Sequence, residues 1–299
     1  MQLTRMDLDG TGSPMGLVSK ILKAEPGLKL PIPIEEIALR LDINEIQNVD
    51  SDTFEGGLIT DTTRSSGFIL VNRNAIRGRR RFTIGHELGH FLLTTHKPPP
   101  GGFQCSRADM RRWDGKDVSP AMRMEIEANE FSGLLLMPPP LWRREASKFR
   151  DPDLSQVSKL AKIFDVSKEA AARSYAQYHD LPVATVVTKN GVIDRIYRNI
   201  TRFPKLVVGK GSPVPPSSIM FRTPRQTDHP TDLVDAYSEY WLESEWGTKL
   251  PTLYEQVAFQ QGPFALMMLW ADVREPEEKD DERTAKERYR DEQEKWNRQ

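Results

Sequence analysis

Five consecutive residues constrain this chain more than any others: His86-Glu87-Leu88-Gly89-His90. They lie in a stretch, Arg81 to Leu93, whose apolar residues Phe82, Leu88, Phe91 and Leu92 recur at helical spacing. On a helix, residues four apart share a face, so both imidazoles can reach one metal ion while the glutamate between them addresses a water on that metal. Such an ion acidifies water and polarises a carbonyl; the glutamate takes the water's proton and can pass it to a leaving nitrogen. The spacing therefore predicts His86 and His90 as metal ligands and Glu87 as a catalytic group that is not a ligand. Gly85 and Gly89, also four apart, mark a face that another element can approach closely.

Two histidines do not complete a hydrolytic zinc site, which usually has three protein ligands and an open position. His96 stands where the metzincin pattern places its last histidine, but Leu93 occupies that pattern's glycine position, and without glycine the sharp exit from the helix is harder. His96 reads as a loop residue. The better candidate is Glu125. It lies on a helix predicted between the Ser119-Pro120 start and the Met137-Pro138-Pro139-Pro140 stop, on a small, mainly apolar face with Ala121, Met122, Ala128 and Ser132. A carboxylate on such a face needs a partner. Glu127 shares its face with Arg123 and Glu130 and reads as part of a solvated stripe. Asn129, one turn beyond Glu125, is placed to hydrogen-bond a ligating histidine from behind. Cys105, the chain's single cysteine, could in principle bind zinc and block the site, but a lone cysteine reads more readily as an incidental or reactive thiol.

Around this centre the pattern changes several times. Leu17 to Leu22 and Ile34 to Leu41 have helical spacing, whereas Gly57 to Thr60 and Gly67 to Asn72 read as a hairpin. Pro98 to Gly115 reads as a loop flanking the motif helix. Leu154 to Tyr178 is helical with a break near Asp165-Val166-Ser167, a helix-turn-helix-like pair. Beyond Pro182, Val183 to Thr188 and Val192 to Tyr197 flank an Asn190-Gly191 turn, the signature of a second hairpin. A helix is expected near Leu233 to Leu242, then an apolar run from Phe264 to Trp270, and a charged tail from Arg274 onward.

The fold class that follows is α+β: a peptidase core over residues 31–145 after an N-terminal extension (1–30), a helix-turn-helix-like segment (146–181), a small α+β C-terminal domain (182–273) and the tail (274–299).

Composition excludes some functions. With 42 basic and 43 acidic residues the net charge is −1, so nothing global favours nucleic acid or membrane, and any such contact must be local. A lone cysteine rules out an intrachain disulfide framework. No export signal is visible near Met1, and every apolar stretch falls short of the ~20 residues that span a bilayer. The chain reads as cytoplasmic, with no membrane partner. Local basic groups do occur. Lys162, Lys168 and Arg173 could contact phosphates from the helix pair, although Asp165 and Glu169 dilute that patch, and Arg77, Arg79, Arg80 and Arg81 cluster at the start of the motif helix. Tyr175, Tyr178 and His179 are candidate donors to an oxyanion.

Taken together, Arg81-Phe82-Thr83-Ile84-Gly85-His86-Glu87-Leu88-Gly89-His90, then Glu125-Ile126-Glu127-Ala128-Asn129-Glu130-Phe131 and Leu135-Leu136-Met137-Pro138, resemble the ImmA/IrrE metallopeptidase family over about residues 30 to 180. The resemblance implies that residues 31–145 form a minimal zincin-like metallopeptidase core whose Zn2+ is held by His86, His90 and Glu125, with Glu87 catalytic, and that the C-terminal domain (182–273) has a sensory role. It further implies a zinc endopeptidase that acts in transcription regulation or stress response by cleaving a protein substrate, a repressor with a helix-turn-helix domain. The alternative is a DNA-binding or anti-repressor regulator in which zinc is mainly structural.

Overall fold

A computed structural model describes residues 1–51, 54–97, 102–106, 109, 119–225, 229–244 and 249–273. The charged tail and most of the segment after the motif helix lie outside these residues. The architecture is mixed α+β, as expected.

The first half opens with α1 (Pro14–Ala24), whose Ser13 cap accepts a hydrogen bond from the Gly16 amide, and α2 (Ile34–Arg40). Three strands follow, β1 (Ile43–Val49), β2 (Phe54–Thr60) and β3 (Gly67–Asn72), and then the motif helix α3 (Arg77–Leu92). The expected hairpin is β2 and β3, antiparallel with Gly57 opposite Leu70. Two strands were not anticipated. β1 pairs parallel with β3, and β4 (Phe103–Ser106), inside the stretch read as a loop, pairs antiparallel with β2, giving the order β1-β3-β2-β4. The inner face of this sheet places Ile43, Leu58, Ile69, Val71, Phe103 and Cys105 against Ile84, Leu88 and Phe91 of α3.

The long helix α4 (Pro120–Leu136) begins at Ser119, whose hydroxyl accepts from Met122 N at 3.2 Å. It packs on α3 at close range because Gly85 and Gly89 carry no side chain. A Cβ on Gly85 would lie 2.6 Å from Ser132 Oγ, and one on Gly89 would lie 3.2 Å from the Ala128 Cα. The prolines that stop α4 also start α5 (Pro139–Ala146), since proline is tolerated in a first turn.

The helix pair is α6 (Leu154–Phe164) and α7 (Lys168–Tyr178), broken where Asp165 turns left-handed at φ 53° and Ser167 caps the second helix. β5 (Val183–Lys189) and β6 (Val192–Arg198) form the second hairpin, turning through Asn190 and Gly191 at φ 53° and 75°. The expected helix at Leu233 to Leu242 is instead β7 (Val234–Ala236) followed by a single turn, α8 (Ser238–Trp241). Here pairing of Val234 to Ala236 with β8 (Thr252–Phe259) overrides local helical spacing. β9 (Phe264–Asp272) completes an antiparallel sheet of order β6-β5-β9-β8-β7. Its continuous apolar run is explained by burial on both faces. Met267, Leu269 and Ala271 enter the sheet's own core, whereas Leu266, Met268 and Trp270 join Trp142, Phe164 and Tyr175 under the helix pair.

Candidate metal centre

α3 carries His86, Glu87 and His90 into the interior, all with no exposed surface. The end of this helix is held by Arg64, which donates to the Leu93 carbonyl at 2.6 Å and reaches those of His90 and Phe91 at 3.3 Å, a cation placed on the negative helix terminus. The two Nε2 atoms of His86 and His90 are 3.1 Å apart. From α4, Glu125 places Oε2 3.2 Å from His86 Nε2 and Oε1 3.4 Å from His90 Nε2.

The partners behind each ring determine what faces the centre. His86 Nδ1 lies 3.1 Å from Asn129 Oδ1, and because the Asn129 amide nitrogen donates to the Asp109 carbonyl, its oxygen is the acceptor. His86 therefore carries its proton on Nδ1 and turns a lone pair inward on Nε2. For His90 the chain is longer. His96 Nε2 donates to Glu127 Oε2 at 3.0 Å, which leaves His96 Nδ1 to accept from His90 Nδ1, also at 3.0 Å. The inward Nε2 of His90 is again a lone pair. Two lone pairs and a carboxylate converging within 3.4 Å repel one another unless positive charge sits among them. The donor set thus fits a divalent metal. Burial lifts the Glu87 carboxyl to about 7 and, acting on the opposite kind of group, lowers His90 to about 4.

Asn129 is where the sequence reading puts it, and Glu125 meets both histidines. Three expectations need correction. His96 is neither a ligand nor a loop bystander; it is buried behind His90. Glu127 is half-buried and accepts from His96, so it does not belong to a solvated stripe. Cys105 lies inside and not in a flanking loop: β4 alternates, sending Phe103 and Cys105 inward, so that the Phe103 ring stacks on His90 at 4.2 Å and Cys105 Sγ lies 3.9 Å from His90 Nε2. The period-two alternation of Phe103 and Cys105 was the available signal, hidden by surrounding turn-like residues.

The other candidate residues lie elsewhere. Lys162 and Lys168 are exposed, Arg173 is half-buried beside Gly133 of α4, and α7 buries Ala171, Ala172, Tyr175 and Ala176 while its Ala172 carbonyl accepts from Thr185 of β5. The arginines at the start of α3 bind the protein itself: Arg77 and Arg81 pair with Asp165 and Arg80 with Glu35. Tyr175 Oη is committed to Gln156 and the Asp153 amide, and His179 Nδ1 accepts from Leu181.

A helix-borne histidine pair with a carboxylate from a second helix is the arrangement of a metallopeptidase. Residues 46–175 match the Peptidase_M78 family, described as the IrrE N-terminal-like domain. No curated protein matches the chain. Among solved structures, a Mycobacterium tuberculosis transcriptional regulator is similar in fold at 16% identity and a TM-score of 0.51, the match covering 89% of this chain and 79% of that one. In the described residues no helix is long and apolar enough to cross a membrane.

Proposed function

We propose that the protein is a zinc-dependent endopeptidase that cleaves a cytoplasmic regulatory protein, a transcriptional repressor with a helix-turn-helix domain. The observation that carries the peptidase reading is the convergence of the inward lone pairs of His86 and His90 on Glu125, with the Glu87 carboxylate buried beside them and without a hydrogen-bond partner. His86, His90 and Glu125 would hold the metal, a two-histidine, one-carboxylate set that zinc favours in hydrolytic sites. When bound, zinc supplies a Lewis acid that polarises the scissile carbonyl and acidifies water.

The chain's own residues supply the rest. Glu87, buried beside the ligands, accepts a proton from water on a carboxylate oxygen and returns it to the leaving nitrogen. Asn129 and His96 fix the ring orientations of His86 and His90 by holding their Nδ1 protons. The repressor as substrate rests on the family resemblance. Glu87→Gln keeps the ligand set and removes the base, so metal content stays at the wild-type level while cleavage of candidate repressors is lost. Wild-type cleavage by that variant would sink the reading.

A further inference from the structure

The candidate ligand set contains one donor more than a hydrolytic site uses. An ion bound tetrahedrally at about 2.0–2.1 Å from nitrogen or oxygen and about 2.3 Å from sulfur separates its ligand atoms by roughly 3.3–3.6 Å. Around this centre the separations are 3.1 Å between the histidines, 3.2 and 3.4 Å to Glu125, and 3.9 Å from His90 Nε2 to Cys105 Sγ, and all four donors lie within 4.8 Å of one another. Cys105 is thus the fourth donor of the cluster. Its side chain is 1% exposed, and its strand β4 is the outermost of the sheet, paired on one side with β2 through Gly56 opposite Cys105.

Glu87 supplies an independent observation. It is fully buried, neither carboxylate oxygen has a hydrogen-bond partner, and the Cys105 thiol is its neighbour. We infer that the Cys105 thiolate is the fourth ligand of the metal centre and occupies the position a hydrolytic metal leaves open, so that this conformation is the latent form of the peptidase. The inference rests on the peptidase reading above. On coordination the S–H bond breaks, its proton is released to solvent and the sulfur lone pair binds the metal. Withdrawal of Cys105 with the β4 edge reverses the change, returning a proton to sulfur and opening the position.

The test is the absorption spectrum of the full chain loaded with cobalt(II), with acetohydroxamate as a probe of an open coordination position. The wild type should show a thiolate-to-cobalt charge-transfer band and a visible spectrum that hydroxamate leaves unaltered. Cys105→Ala and Cys105→Ser should lose that band, bind cobalt roughly tenfold or more weakly, and shift their visible spectra on adding hydroxamate. Stoichiometric cobalt in the wild type without the band would overturn the inference and leave the peptidase site standing. Failure to bind cobalt at all would remove both. A hydroxamate-induced shift in the wild type equal to that of the variants would refute closure. If both variants fail to fold, the wild-type spectrum with and without hydroxamate still decides the matter.

Discussion

His96 stands behind His90 with the two Nδ1 atoms 3.0 Å apart, and the far nitrogen of His96 meets Glu127 Oε2 at the same distance. The relay fixes the tautomer of His90 from two residues away, because a carboxylate can only accept and so dictates which nitrogen of each ring keeps its proton.

Breaking that relay should loosen the metal without removing a ligand. Glu127→Gln and His96→Ala are expected to bind zinc about 10–100-fold more weakly than the wild type, while reaching full occupancy at saturating zinc. Competition against a chromophoric chelator measures this. Unchanged affinity in both variants would show that the relay positions nothing.

The close approach of α3 and α4 is a second handle. Gly85→Ala drives a Cβ to 2.6 Å from Ser132 Oγ and 3.3 Å from the Ser132 Cα, so the helices must part. Overpacking of this kind costs about 1–3 kcal/mol, and because Glu125 rides on α4, zinc affinity should fall with stability. Denaturant unfolding with and without zinc reads both quantities. A variant as stable as the wild type would contradict the packing account.

Asp153 ties the helix pair to the second sheet. It caps α6 through Ser155 N at 2.6 Å and accepts from Gln256 of β8 at 3.0 Å. Burial alone would raise its pKa, but the hydrogen bonds from Ser155 and Gln256 outweigh burial and hold it below the ordinary carboxylate value. A carboxyl lowered in the folded state adds stability above its unfolded pKa, near 3.9, and loses it as pH falls through the folded value. The melting temperature of the wild type should therefore drop further between about pH 6 and about pH 3 than that of Asp153→Asn. Equal drops would remove Asp153 from the acid sensitivity.

Much of the site was legible because the relevant spacings are local. His86, Glu87 and His90 follow from helical periodicity, and Glu125 from the burial of a carboxylate on an apolar helical face. His96 and Glu127 were misread because their partnership spans 31 residues and no local period encodes it. β1 was invisible for a different reason: one edge of it pairs with β3 while its polar side chains face outward, so it shows neither an apolar run nor clean alternation. β7 shows helical spacing in the sequence and forms a strand because its three residues at a sheet edge pair with β8.

Glu125 is expected to complete a metal site with His86 and His90. Zinc content of the purified full chain, measured by elemental mass spectrometry for the wild type and for Glu125→Ala, tests it most directly. Stoichiometric zinc is expected in the wild type and its loss in the variant, with the fold retained. A wild type without zinc under zinc-replete conditions, or a Glu125→Ala variant that holds zinc as tightly as the wild type, would contradict it.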